Sequence, residues 1–181
     1  MTVLISLALA LCSSMSPVVH SVTDVSQRFT FYMDGRFYRQ YLKPEARDVR
    51  NWGSLSELDL SNVNLLILTA GDSRIPYASS AIEKVNAFMK SGGTVLVMAD
   101  GLSGEVPISR LLDGHGMKLS GQRAKAPLKG MGELSGHRIV YRGGSPLEPD
   151  ESWGSLVVDE TGRPVLAERA VGDGTLVVGS R

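Results

Sequence analysis

Cysteine is nearly absent from this 181-residue chain; Cys12 is its single one. A lone thiol cannot close an intrachain disulfide, so no disulfide framework holds the fold together. Aromatic residues are scarce at 6%, which leaves little for a platform that stacks bases or sugars. Neither sign of charge is in excess, since 19 Lys and Arg balance 19 Asp and Glu. Without a basic surplus there is no general surface for neutralising phosphates, and nucleic acid is not an expected partner. The first 23 residues carry no charged side chain at all; Asp24 is the first. Long apolar runs are missing too. Val3–Cys12 (VLISLALALC) has ten residues, about half of the roughly 20 that a membrane-spanning helix needs.

That ten-residue run fits the core of a signal peptide, and Val19-His20-Ser21 offers acceptable residues at the −3 and −1 positions of a cleavage site. Residues 1–21 are therefore read as a signal peptide and 22–181 as one domain. The protein is expected to be exported, periplasmic or secreted, with no transmembrane segment left after cleavage and no cysteine in the mature chain. Two features fit less well: no positive charge precedes the run, and Leu11 stands before Cys12 where a lipoprotein signal wants a small residue. The alternative for the same run is a buried N-terminal strand of a cytoplasmic protein. A hydrophobic share of 43% is ample for a core.

Along the rest of the chain, Arg28–Met33 (RFTFYM) reads as a strand ending in an Asp34-Gly35 turn, and Arg36–Asp59 as short helical turns and loops. Val63–Thr69 (VNLLILT) is nearly all apolar, as a parallel strand covered on both faces should be. Tyr77–Lys90 places Ala78, Ala81, Ile82, Val85, Phe88 and Met89 at helical spacing, with Pro76 ahead and Gly92-Gly93 behind. Thr94–Ala99 (TVLVMA) is a second buried strand. Together they form a βαβ unit, expected to have a right-handed crossover. Pro107–Leu112 reads as a short helix ended by Gly114 and Gly116, and Lys118–Gly136 as a surface excursion. His137–Tyr141 is a candidate strand. Ser155–Val158, Pro164–Ala167 and Thr175–Val178 read as three short strands separated by glycine-containing turns. The chain stops three residues after the last of them, which leaves C-terminal truncation open.

The block Leu60–Gly104 joins a strand, an Ala70-Gly71 turn, a helix ending in Phe88 and Gly92-Gly93, and the strand Thr94–Ala99 running into Asp100-Gly101. This arrangement resembles the class I glutamine amidotransferase-like superfamily, and particularly its non-catalytic members, such as the domains of intraflagellar-transport and gliding-motility proteins and related uncharacterised exported bacterial domains. Phe31–Asp34 is similar to the first strand of that fold, and Pro164–Gly179 to its final hairpin. The resemblance covers about half of the chain and implies a flavodoxin-like three-layer α/β sandwich, its sheet mainly parallel with an antiparallel C-terminal hairpin or meander. It implies no activity. Active members hold a cysteine on a sharp turn resembling Gly-x-Cys-x-Gly. The matching stretch here is Val97-Met98-Ala99-Asp100-Gly101, without cysteine or serine.

Asp34, Asp72 and Asp100 each follow an expected strand, at the edge where open α/β sheets bind ligands. Converging there, they would suit a divalent cation such as Ca²⁺ or Mg²⁺. Arg36 and Arg74 beside them would suit an anion or ion pairs. The plain alternative is that aspartates favour turns by bonding to nearby amides. Gly101-Leu-Ser-Gly104 lacks the lysine and spacing of a phosphate loop. His115 and His137 have no second ligand at metal spacing, Ser103 has no evident base, and Trp52 and Trp153 are expected in the core or at its rim. The sequence thus points to a non-catalytic module that binds a ligand or protein, with no cofactor expected beyond a divalent cation. A hydrolase with an aspartate-lined, metal-assisted site is one alternative; a structural accessory domain of a longer polypeptide is another.

Overall fold

The computed structural model describes residues 18–23, 48–52, 55, 59–69, 77–99, 101, 108–137, 139 and 144–180. Ten strands fall within them: β1 (Val18–Thr23), β2 (Asp48–Trp52), β3 (Leu65–Thr69), β4 (Thr94–Ala99), β5 (Met117–Leu119), β6 (Lys129–Gly130), β7 (Leu147–Pro149), β8 (Gly154–Val158), β9 (Pro164–Val171) and β10 (Gly174–Ser180). Two helices accompany them, α1 (Ser79–Lys90) and α2 (Ser109–Gly114), with a short 3-10 turn at Gly132–Leu134.

Eight strands make one sheet in the order β2-β1-β3-β4-β10-β9-β8-β6. The five from β2 to β10 are parallel, and β9, β8 and β6 then alternate in direction. β5 and β7 form a separate antiparallel pair. This is the mainly parallel α/β sheet with an antiparallel C-terminal meander that the sequence led one to expect.

The central strands are apolar on both faces because both faces are covered. Leu66 and Leu68 of β3, Val95, Val97 and Ala99 of β4, and Leu176 and Val178 of β10 share one core with Ala81, Val85, Phe88 and Met89 of α1 and Leu111 and Leu112 of α2. Their alternates Leu65, Ile67, Leu96 and Val177 face the other way, packing with Leu134, Val157, Val165 and Leu166. Each fully buried aliphatic side chain contributes about 1.5–3 kcal/mol. α1 ends where its sequence says it should: Gly92 adopts φ +102°, and the Gly93 amide donates to the Phe88 carbonyl at 3.0 Å.

Several expectations need correction. The Arg36–Asp59 stretch, read as helical turns and loops, contains β2, which pairs in parallel with β1. Parallel pairing supplies what the polar sequence Asp48–Trp52 does not advertise. The Lys118–Gly136 excursion is partly built into sheets through β5 and β6; strands this short exist by pairing rather than by propensity. His137 and Ile139 lie in no strand. Arg28–Met33 lies outside the described residues, and the first described strand is β1. β1 also crosses the point where a signal peptidase was expected to cut, since Val18 to Ser21 belong to it.

Candidate functional site

The sheet changes winding direction at β1, which has β2 on one side and β3 on the other. Ligands of open α/β sheets bind beyond the C-terminal strand ends at such a point. Here those ends are Thr23 and Thr69, paired in register, with Thr69 opposite Met98 and Ala99 opposite Ser180. Asp34, Arg36, Asp72, Arg74 and Asp100 all lie outside the described residues. What the structure does fix is where their segments start. Asp72 and Arg74 follow β3 and Asp100 follows β4, so these segments leave one edge from neighbouring strands, about 4.8 Å apart. Asp34 has no such anchor: the nearest described strand before it, β1, ends at Thr23.

One step past Asp100 the structure is tightly defined. The Gly101 amide donates to Ser145 Oγ at 3.0 Å. Ser145 is wholly buried, and Ser120 beside it nearly so. A Cβ on Gly101 would lie 2.5 Å from Ser145 Oγ and 2.6 Å from the Ser120 carbonyl oxygen. Glycine is therefore required here by close approach of side chain and backbone. An oxyanion hole needs amide hydrogens left free for a developing charge. At this turn the amide following Asp100 is already bonded.

Sequence reasoning missed the most elaborate polar centre, at the turn between β8 and β9. The Asp159 side chain has no solvent exposure. Its carboxylate accepts from the Thr161 amide (2.9 Å) and hydroxyl (2.6 Å), the Arg163 amide (3.0 Å), Nε (3.2 Å) and Nη2 (3.0 Å), and the Lys125 amide (3.2 Å). Burial pushes its pKa upward, but the bonds from Thr161, Arg163 and Lys125 outweigh it and hold the carboxyl well below the usual range. Arg163 extends the network to Gln122 Oε1 (2.7 Å) and the Arg123 carbonyl (3.4 Å). An aspartate followed by threonine two residues on and arginine four residues on was the available signal, a side chain closing its own turn.

His115 works at the opposite edge. Its ring lies 2.8 Å from Asn86 Oδ1 on α1 (through Nε2), and its carbonyl accepts from Trp153 Nε1 (2.8 Å) and Arg169 Nη1 (2.6 Å). Desolvation, then the nearby charges of Arg169 and Lys90, lowers its pKa. It caps α2 and ties three elements together. Trp153 is a core residue, and His137 is exposed. The Trp52 side chain and Ser103 lie outside what the structure describes. Among the described residues, no group of three His, Cys, Asp or Glu is placed to hold a metal ion.

Solved structures share this architecture. The fold is flavodoxin-like. The "mmIFT52 N-terminal domain" superposes with a TM-score of 0.63 at 18% identity, covering 90% of this chain and 86% of its own. A putative ThuA-like protein from Bacteroides uniformis gives 0.54 at 8% identity, over 89% and 79%. The exo-beta-1,4-mannosidase Op5Man5 from Opitutaceae bacterium strain TAV5 gives 0.57 at 15%, over 91% of this chain but 31% of the enzyme. These similarities concern the fold alone. No family profile matches the chain, and no curated protein matches it in sequence.

Proposed function

We propose that this chain is a non-catalytic binding module of an exported protein, built on the glutamine amidotransferase-like fold and engaging a ligand or a protein partner. The observation that carries the reading is the bond from the Gly101 amide to buried Ser145 Oγ. It occupies the amide that follows Asp100, and Ala99 or Asp100 is where the resemblance would place a nucleophile; Val97–Gly101 supplies neither cysteine nor serine. Two neighbours covered over most of their length are an amino-terminal domain and a ThuA-like protein, which fits a module. In the mannosidase the matching part is under a third of the chain, so the fold also occurs within larger polypeptides.

Export follows from the uncharged start and the Val3–Cys12 run. Among the described residues no helix is long and apolar enough to cross a membrane. The competing hydrolase reading draws on the shared take-off edge of the segments carrying Asp72 and Asp100, where a divalent cation would be held.

The deciding experiment combines thermal melts against divalent cations, chelator, nucleotides and sugars with turnover assays on amide, ester and glycoside substrates. The module reading expects no turnover. A ligand of the strand edge present at about 100 times its Kd should add roughly 2.7 kcal/mol of stability, and Asp72→Asn with Asp100→Asn should remove that gain. Turnover abolished by the same double substitution would sink the module reading and establish the hydrolase.

A further inference from the structure

The β8–β9 turn lies at the same edge of the sheet as the ends of β3 and β4. β9 is antiparallel to β10 and β8 antiparallel to β9, so β8 runs in the direction of the parallel strands and its turn emerges at their C-terminal side. We infer that the rim formed by Arg123, Lys125 and Lys129 around this turn is a docking surface for an acidic, extended segment of a partner protein. The inference rests on the binding-module reading and names the partner's chemistry.

Between Gly114 and Gly132 the chain carries Lys118, Arg123, Lys125 and Lys129 and no Asp or Glu, although the whole protein is neutral. Lys118 stands opposite Glu148 in the β5–β7 pair, so its charge has a counterpart. Arg123, Lys125 and Lys129 are exposed, and among the described residues none of them forms an ion pair. They gather at one place. The Lys125 amide is bonded to Asp159, the Arg123 carbonyl accepts from Arg163, and Lys129 pairs in register with Val158, the residue before Asp159. Glu160 is the one exposed acid of the turn, so the rim stays net positive.

The backbone beneath these cations is unusually well fastened for a surface loop. The buried Asp159 carboxylate collects six donors from both sides of the turn. The Ala124 amide donates to the Gly144 carbonyl at 3.0 Å, and the Glu160 amide to the Lys125 carbonyl at 3.1 Å. A rim held this way loses little backbone freedom when it binds. Lys129 taken alone is explained as protection of a short edge strand; Arg123 and Lys125 lie in no strand and need another account. Arginine and lysine on a rigid rim match carboxylates of either side-chain length, arginine in two-point fashion.

Other polyanions fit less well. The segment from Gly114 to Gly132 contains no Phe, Tyr or Trp for stacking bases. Among the described residues Met131, at 38% exposure, is the single exposed large hydrophobic, so the described surface beside this rim presents no apolar face to a membrane. Beside Lys129, its flexible thioether suits an apolar side chain within an extended peptide.

The test is binding of a labelled glutamate-rich peptide to the full chain, followed by fluorescence anisotropy at low and high salt. The triple substitution Arg123→Ala, Lys125→Ala and Lys129→Ala should weaken binding about tenfold at low salt, as expected for three rim contacts, with an unchanged melting temperature. High salt should weaken the unaltered protein by a similar factor. Equal binding by the triple variant overturns the proposal, as does failure of the peptide to bind. So does tighter binding of duplex DNA or phosphatidylserine vesicles than of the peptide. Enzymatic turnover would remove the module reading whatever the peptide does. Loss of the peptide result without turnover removes this surface and leaves that reading standing.

Discussion

Ser145 and Gly101 are 44 residues apart in sequence and joined by one hydrogen bond of 3.0 Å from the glycine amide to the buried hydroxyl. Ser145→Ala leaves that amide without its acceptor and should cost about 1–2 kcal/mol. Gly101→Ala drives a methyl against Ser145 Oγ and the Ser120 carbonyl, and should cost about 1–3 kcal/mol. Urea melts of the two variants check both. Stability unchanged in Gly101→Ala would show that the turn after β4 is looser than described.

Asp159 gives the fold an acid-sensitive joint. Its folded pKa is depressed, so its contribution is complete above the unfolded value of about 3.9 and is lost as pH falls through and below that value. Asp159→Asn keeps the shape but removes the charge. It should lower stability at pH 7 by about 2–4 kcal/mol and flatten the stability profile below about pH 4. Chemical denaturation at a series of pH values reads both effects. An equally steep acid limb in the variant would assign that limb to other carboxylates.

His115 acts in the window above. Its folded pKa lies below the unfolded value of about 6.5, so the unfolded chain takes up the proton more readily. Its share of stability is therefore full above about pH 6.5 and declines as pH drops toward the folded value. His115→Gln keeps a polar partner for Asn86 and should abolish that slope. NMR titration of the His115 ring provides the direct measurement; a midpoint above that of an unfolded peptide would reverse the sign.

β1 bears on the cleavage expected after Ser21. A cut after Ser21 removes Val18 to Ser21, four of the strand's six residues, and β2 joins the sheet through β1. A chain beginning at Val22 should therefore melt several degrees below one beginning at Val18, since each 1 kcal/mol shifts Tm by about 2–4 °C at this size. Equal melting temperatures would mean that the sheet is anchored without those residues. Mass spectrometry of the protein recovered from expressing cells then fixes the N-terminus in use.

The parts of the fold legible in the sequence were those in which local chemistry and burial agree. Leu65–Thr69, Thr94–Ala99 and the amphipathic α1 are covered on one face or both, and their apolar spacing says so. β2 is polar, β6 has two residues, and β5 has three. Such strands are created by their partners, and a partner far along the chain leaves no local trace. The site was less legible for the same reason. Ser145 lies in an unremarkable Gly-Gly-Ser-Pro stretch, and nothing nearby announces that it meets Gly101. Asp159 was readable in part, since Thr161 completes its turn locally, whereas the bond from the Lys125 amide spans 34 residues.

The position of β10 has a further consequence, for the time at which this sheet is completed. β10 sits between β4 and β9, yet β4 is synthesised long before it. Until Gly174–Ser180 leave the ribosome, one side of β4 is an open, apolar strand with nothing beside it. The stretch from Ala99 to Gly174 takes roughly 4 to 15 seconds to translate at about 5–20 residues per second. Through that interval the β4 edge is unpaired and open to strand pairing with a neighbour.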